Sequence, residues 1–336
     1  MKQIYQLIKL NRIIKSHRIK LIALLLADIF RFRHLFIRFD PIIACNLRCL
    51  MCPFSDPEFI ASKKPRFSSD DIKRIGGMFF PLAYQCVVGC GAEPTVYKDY
   101  LSILRMAKQY GVPHIGFTTN GQLLTQPKVR ELFEIGIDEI TLSMHGVKKQ
   151  TYERFMVNAS FEKFHEILAA IDESKKRPGI HPGIRINYTV NPDNLPELAD
   201  FFEEFGRYAV DVLQIRPMVD LGTTAYAASD LSHFAGEYQS IIDSLAEECR
   251  KRNITLLANR YDPSPSDNNP QSAMLQFAYR YISPQCVWRE DLDWRNTSYR
   301  EFCRKIGWRK ILLKSIALPA NKLHQMKNHL GYDIYS

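Results

Sequence analysis

Residues 36 to 52 read Phe36-Ile37-Arg38-Phe39-Asp40-Pro41-Ile42-Ile43-Ala44-Cys45-Asn46-Leu47-Arg48-Cys49-Leu50-Met51-Cys52. Two patterns meet in this stretch. Residues 36–43 form a short apolar run with the length of a buried strand. Three cysteines follow within eight residues, separated by three residues and then by two. The stretch therefore predicts a strand whose end delivers three thiols to one place.

Working outward toward the C-terminus, short apolar segments alternate with longer helical patterns. Further strands are predicted over 86–89, 114–118, 139–143, 185–189 and 212–216. Helices are predicted between them over 69–78, 100–110, 127–135, 161–175 and 195–208. Such alternation implies right-handed βαβ units and a parallel sheet. The expected fold class is α/β, a partial (β/α)6 TIM-like barrel with a core over residues 36–260. A helix at 233–252 and an apolar stretch at 254–258 complete that core. Residues 261–270 are rich in turn formers and read as a linker. Residues 271–336 read as a C-terminal extension that caps the barrel. It carries all three tryptophans.

Toward the N-terminus, residues 1–35 are predicted as a basic amphipathic helix. Residues 1–39 hold nine lysines and arginines against Asp28 alone, or +8 of the net charge of +9. The basic character belongs to this arm and not to the body. It suits packing on the body or peripheral contact with an anionic membrane surface. No apolar run approaches the ~20 residues that span a bilayer, and no cleavage-site pattern follows Leu21–Ala27. The 336 residues, 46% hydrophobic and 24% charged, are globular in composition and exclude a disordered or collagen-like chain. The expected location is cytoplasmic, with membrane association through 1–35. In a reducing compartment the eight cysteines read as metal ligands or reactive thiols rather than disulfides.

Thiolates spaced this closely can wrap one face of an iron–sulfur cluster. A closed zinc site, the main alternative, needs a fourth ligand. Three thiolates on a four-iron cube leave one iron open.

Three further motifs follow in order: Gly91-Ala92-Glu93-Pro94 after the second strand, Thr118-Thr119-Asn120-Gly121 after the third, and Ile140–Ser143 with Thr151–Arg154 at the fourth. With the cysteine triplet they make residues 36–220 resemble the radical S-adenosylmethionine (radical SAM) superfamily. The resemblance implies a [4Fe–4S] cluster held by Cys45, Cys49 and Cys52, with S-adenosyl-L-methionine on the open iron. It implies an enzyme that cleaves S-adenosylmethionine reductively to a 5′-deoxyadenosyl radical, which takes hydrogen from a substrate, and a reductant such as flavodoxin or ferredoxin. It assigns the backbone of Gly91, Ala92 and Glu93 to the methionine amino group and Ser143 to the ribose. Arg154 suits the methionine carboxylate through bidentate pairing. Asn120, Asn187 and Arg216 are expected at the cofactor, near the C-terminal strand ends. Two departures stand out. Met51 replaces the usual aromatic residue near the adenine, and Ala92 stands where glycine is common and would be strained at positive φ.

Other residues carry bland and sharp readings together. Cys86 and Cys90, four apart on one predicted strand, share a face and read first as packing. Cys249, Cys286 and Cys303 could hold an auxiliary cluster, although the six-cysteine SPASM motif is missing. Arg185 and Asn187 alternate onto one face of the fifth strand, so that one reaches the cofactor. Trp288 and Trp294 read as aromatic packing. The expected substrate is phosphorylated or membrane-associated. Peptide modification is the alternative within the family. Outside it stand a zinc-binding structural module and a nucleic-acid binder acting through the basic arm, neither of which accounts for four ordered motifs on successive strands.

Overall fold

The computed structural model describes residues 13–62, 65–179, 181–218, 224, 232–258, 277–319 and 322–323. The predicted linker 261–270, the first twelve residues of the basic arm and the ends of the predicted extension lie outside the described residues. Eight strands form one parallel sheet in the order β7-β6-β5-β4-β3-β2-β1-β8. They are β1 Leu35–Phe39, β2 Ala83–Val88, β3 His114–Thr119, β4 Glu139–Met144, β5 Gly183–Val190, β6 Val212–Pro217, β7 Thr255–Leu257 and β8 Tyr279–Ile282. Helices intervene: α1 His17–Ile29, α2 Pro57–Ala61, α3 Ser69–Phe79, α4 Tyr100–Gln109, α5 Gln126–Ile135, α6 Lys149–Phe155, α7 Phe161–Lys175, α8 Phe201–Phe205, α9 Ala235–Lys251, α10 Tyr299–Lys305 and α11 Trp308–Ala317.

Alternation along the strands explains why the sheet has two unlike faces. In β1, Leu35, Ile37 and Phe39 are fully buried, while Phe36 and Arg38 are half-buried on the other side. In β5, Ile184, Ile186, Tyr188 and Val190 are fully buried, and Arg185, Asn187 and Thr189 occupy the opposite face. Successive side chains point to opposite faces of a strand. The apolar set packs against the helices, and the polar set lines a concave face.

That face curls. β1 and β6 are five places apart in the sheet, about 24 Å if it were flat. Yet the guanidinium groups of Arg38 and Arg216 act on each other electrostatically, and Tyr279 of β8 acts on Arg216 as well. The sheet bends around a lumen without closing, since β7 and β8 remain its two edges.

The six expected strands are present, with differences at their ends. β1 stops at Phe39 and not at Ile43, because Asp40 turns its carboxylate onto the loop after β2 and Pro41 has no N–H to donate. The arm is not one helix: α1 ends at Ile29, and Arg31 takes a positive φ of 64°. Past that turn the Arg33 guanidinium donates to the carbonyls of Phe80, Ala83 and Tyr110 at 2.6–3.2 Å, which fixes an extended chain. The helix expected over 195–208 is a 3-10 turn, Pro196–Asp200, followed by α8. The extension does more than cap: it supplies β8, which pairs with β1 from Phe36↔Tyr279 to Phe39↔Ile282. Arg280 between them is fully buried beneath Trp288, 3.9 Å from the ring centroid, and donates to the Tyr299 hydroxyl at 2.8 Å. Trp288 is therefore packing, as is Trp294 against Phe67.

Candidate active site

The three cysteines lie on the loop after β1, all free and all partly accessible. Backbone bonds pin that loop from two sides. Glu93 N–H donates to the Ala44 carbonyl at 3.0 Å, tying it to the loop after β2. Arg48 and Leu50 N–H donate to the carbonyls of Val157 and Phe155, each at 3.0 Å, tying it to the end of α6. The Arg48 guanidinium closes on the carbonyls of Cys45 and Leu47, and Leu47 N–H points at Cys45 Sγ, 3.4 Å away. Asn120 Nδ2 donates to Asn46 Oδ1 at 3.0 Å, so the turn after β3 is fastened to the same loop.

Burial pushes the Cys45 thiol up to about 12 and raises Cys49 and Cys52. Charge on Cys45 and on Cys52 would raise Cys49 further. A positively charged inorganic centre relieves both costs, since thiolate binding releases the proton and neutralises the charge. Among the described residues no three donor side chains ring a single-ion position. The donor chemistry, three thiols on one pinned loop, fits a cluster that meets each thiolate at a different iron.

Two buried carboxylates shape the loop after β2. Asp40 is fully buried. It accepts the N–H groups of Cys90 and Gly91 at 2.8 Å each and the Tyr281 hydroxyl at 2.6 Å. Glu93 accepts Thr95 N–H and hydroxyl, the Thr119 hydroxyl at 2.7 Å and Asn120 N–H at 2.8 Å. Burial raises both acids, and these hydrogen bonds oppose it. Glu93 thus joins the β2 and β3 loops from the buried side. Gly89 makes the turn possible: its φ is +91°, and a Cβ there would lie 2.2 Å from the Thr118 carbonyl oxygen. Ala92 is not among the residues with positive φ, so alanine is unstrained. The same turn ends β2 before Cys90. Cys86 is buried in the core while Cys90 is exposed; the two do not share a strand.

Ser143 and Asn187 are register partners on β4 and β5. Asn187 Oδ1 is buried without a hydrogen-bond partner, a fit for a ligand hydroxyl. Met51 is 5% exposed, and Asn191 Nδ2 lies 3.1 Å from its sulfur. Asn191 is itself held, its Oδ1 accepting Asp193 and Asn194 N–H. Arg154 of α6 pairs with Asp193 at 3.1 Å in the open, its side chain 58% exposed. Arg185 is compensated by Glu139 at 2.8 Å and Gln214 at 3.0 Å. Arg216, near the end of β6, is exposed and feels the charges of Cys90 and Arg38. Cys249, Cys286 and Cys303 sit in three separate surroundings: the core face of α9, a turn beside Arg289, and α10 beside Arg280.

Contacts therefore join Cys45, Cys49, Cys52, Met51, Glu93 and Asn120 into one network, with Gly91 and Ala92 on its edge and Ser143 and Asn187 facing each other. Sequence reasoning missed Asp40, Asn46 and Asn191. The turn Asn191-Pro192-Asp193-Asn194 after a predicted strand was the available signal, because polar turns at these strand ends build sites.

The sequence profile of the Radical SAM superfamily matches residues 41–202. A probable GTP 3′,8-cyclase of Saccharolobus solfataricus is 29% identical over 215 residues, 63% of this chain and 66% of that one. Another, of Sulfurisphaera tokodaii, is 24% identical over 67% of each chain. The chain thus spans about two thirds of the length of the curated relatives it matches. Among solved structures, Streptococcus suis SuiB bound to S-adenosylmethionine superposes with a TM-score of 0.56 at 15% identity, covering 75% of this chain and 59% of that one. anSMEcpe with bound AdoMet gives 0.59 at 16%, covering 80% of each. These last two share the fold.

Proposed function

We propose, for a chain that belongs to the radical SAM superfamily, reductive cleavage of S-adenosylmethionine and removal of a hydrogen atom from a substrate bound in the lumen. When bound, the [4Fe–4S] cluster and S-adenosylmethionine supply the chemistry: one electron, a broken carbon–sulfur bond and a carbon radical. The observation that carries the reading is the pinned loop of three free thiols at the same strand ends as the orphaned Asn187 Oδ1.

The chain's own residues hold and orient. Cys45, Cys49 and Cys52 would hold the cluster. The Gly91–Glu93 backbone, fixed by Asp40 and Glu93, would present carbonyl oxygens to the methionine amino group. Ser143 and Asn187 suit the ribose hydroxyls. Met51, held by Asn191, would cover the adenine as a flexible apolar side chain. Arg154 would turn from Asp193 to the methionine carboxylate; an exposed ion pair holds it only weakly. The electron would come from a flavodoxin- or ferredoxin-like donor.

The test is anaerobic reconstitution followed by iron analysis and assay of 5′-deoxyadenosine. About four irons per chain with release of 5′-deoxyadenosine supports the reading. Zinc in place of iron and no cleavage overturns it.

The reading includes a membrane-proximal substrate. α1 buries Leu21 and Leu24 against the body but leaves Ile19, Ile22, Leu26 and Ile29 exposed on its other side, with Phe30 and Phe32 at 64% and 65% beyond it. Lys15, Arg18, Lys20 and Arg31 flank that stripe. An outward apolar stripe with basic flanks favours an anionic bilayer surface. No helix among the described residues is long and apolar enough to cross one. Sedimentation with phosphatidylglycerol vesicles, but not phosphatidylcholine vesicles, is expected, and Ile22→Ser with Leu26→Ser should abolish it. Equal sedimentation with both lipids, or with neither, overturns this part.

A further inference from the structure

The turn after β2 is held from behind by residues far apart in the chain. Asp40 receives three donors on its two oxygens. Cys90 N–H donates to Oδ1 at 2.8 Å, while Gly91 N–H at 2.8 Å and the Tyr281 hydroxyl at 2.6 Å share Oδ2. β8 also holds the Asp40 backbone, whose N–H donates to the Ile282 carbonyl at 2.9 Å. Tyr281 is fixed by its surroundings: Arg280 and Ile282 are fully buried on the other side of the strand, and its own carbonyl accepts Trp288 N–H at 2.8 Å. The approach is close, since a Cβ at Gly91 would lie 3.3 Å from the Tyr281 hydroxyl and 3.4 Å from Asp40 Oδ2.

These bonds decide which edge of the turn is offered to a ligand. In a trans peptide the N–H and the preceding carbonyl point opposite ways. Gly91 N–H on Asp40 therefore turns the Cys90 carbonyl away from that acid. Glu93 N–H on the Ala44 carbonyl does the same for the carbonyl of Ala92. Among the described residues no hydrogen bond ends on the carbonyl oxygen of Cys90, Gly91 or Ala92, and Cys90 and Gly91 are exposed. Accepting oxygens with their N–H groups committed behind them suit an ammonium and not an anion. A carboxylate on the N–H side also polarises the peptide and strengthens the oxygen opposite. Tyr281 matters because the last torsion of a carboxyl side chain is broad. The second donor on Oδ2 keeps that oxygen under Gly91.

We infer that Tyr281, contributed by the C-terminal extension, is a positioning residue for the amino group of S-adenosylmethionine, acting through Asp40 on the carbonyls of the Gly91 turn. The inference rests on the proposed function and deepens it. The extension that adds β8 to the sheet also sets the grip on the amino-acid end of the cofactor, whereas the adenosine end belongs to β4 and β5.

The test is calorimetric binding to the reconstituted enzyme of S-adenosylhomocysteine, which keeps the amino-acid end, and of 5′-methylthioadenosine, which lacks it. Tyr281→Phe should weaken S-adenosylhomocysteine about tenfold and leave 5′-methylthioadenosine unchanged. Iron content should stay at the wild-type level. Hydrogen exchange of peptides spanning 86–93, on the protein as purified, should be faster in the variant. Asp40→Asn keeps an oxygen for Cys90 but loses the one shared by Gly91 and Tyr281, and should act in the same direction. The double variant should bind no more weakly than the weaker single, since both act on one contact. Tyr110→Phe, an exposed tyrosine, should change nothing. If Tyr281→Phe loses its near-ultraviolet dichroism, Asp40→Asn decides by the same pair of ligands. Unchanged affinity for S-adenosylhomocysteine, equal weakening of both ligands, or losses that multiply in the double variant would each overturn the inference. Failure of wild type to release 5′-deoxyadenosine tells against the proposed function itself; release by wild type beside an indifferent Tyr281→Phe tells against this inference alone.

Discussion

The two sides of the barrel mouth solve the problem of buried polar groups in opposite ways. On the side of β2 to β5, polar groups satisfy one another: Glu93 takes four donors, Asn120 reaches Asn46, and Asn191 ties its own turn to Met51. On the side of β1, β6 and β8, Arg38 is half-buried and Arg216 is exposed, and neither has an ion pair among the described residues. A satisfied network rigidifies a loop before any ligand arrives. A guanidinium open to water is solvated without a partner in the fold. The comparison teaches that the side proposed to hold the cofactor is built in advance, whereas the opposite side leaves its charges to solvent.

The largest expected effect breaks the prebuilt side outright. Replacing Cys45, Cys49 and Cys52 by alanine should take bound iron from about four per chain to none and abolish 5′-deoxyadenosine release. Retained iron would show that another centre holds it.

Asp40 joins the two sides, since it grips Cys90 and Gly91 on one and Tyr281 of β8 on the other. Asp40→Ala removes the buried acceptor shared by three part-buried donors and should cost about 1–3 kcal/mol in urea unfolding. A loss within the ~0.5 kcal/mol typical of surface sites would mean the loop holds without it.

His145, just past β4, is an exception on the satisfied side. Its Nδ1 is buried without a partner, and burial lowers its pKa from 6.5 to about 4. The unfolded chain takes up a proton that the native ring refuses. Stability is therefore complete above pH 6.5 and falls as pH drops from 6.5 toward 4, by about 3 kcal/mol at the limit. Subtracting the pH profile of His145→Gln isolates this loss; superimposable profiles would show that the ring is protonated in the native state.

The smallest effect on stability sharpens the contrast. The Arg154–Asp193 pair is exposed on both partners, so Arg154→Gln should change unfolding by less than about 1 kcal/mol. The same variant should raise the KM for S-adenosylmethionine about tenfold, because a bidentate carboxylate contact is lost. An unchanged KM would leave Arg154 a surface residue.

How much was legible in the sequence follows the same division. The cysteine loop, Gly91–Pro94 and the Asn120 turn could be read because each is contiguous: a strand end, then the residues its loop needs. Their partners could not. Asp40 reads as a break in an apolar run until Cys90 and Gly91 stand opposite it. The strand β8, Tyr-Arg-Tyr-Ile, has an arginine on the face that should be apolar. Only the stacking of Arg280 under Trp288 and its bond to Tyr299 make that position tolerable.

The sequence by itself determined the parallel α/β alternation, six of the eight strands, and the thiol triplet at the end of the first. These depend on periodicity and spacing within a few residues. Tertiary structure alone decided that β8 joins β1, that Cys90 leaves the face of Cys86, that Arg185 is neutralised, and that Arg38 and Arg216 are not. The physical reason is that charge compensation and burial depend on what lies across the lumen, and residues 38, 185 and 216 meet there only once the sheet has curled.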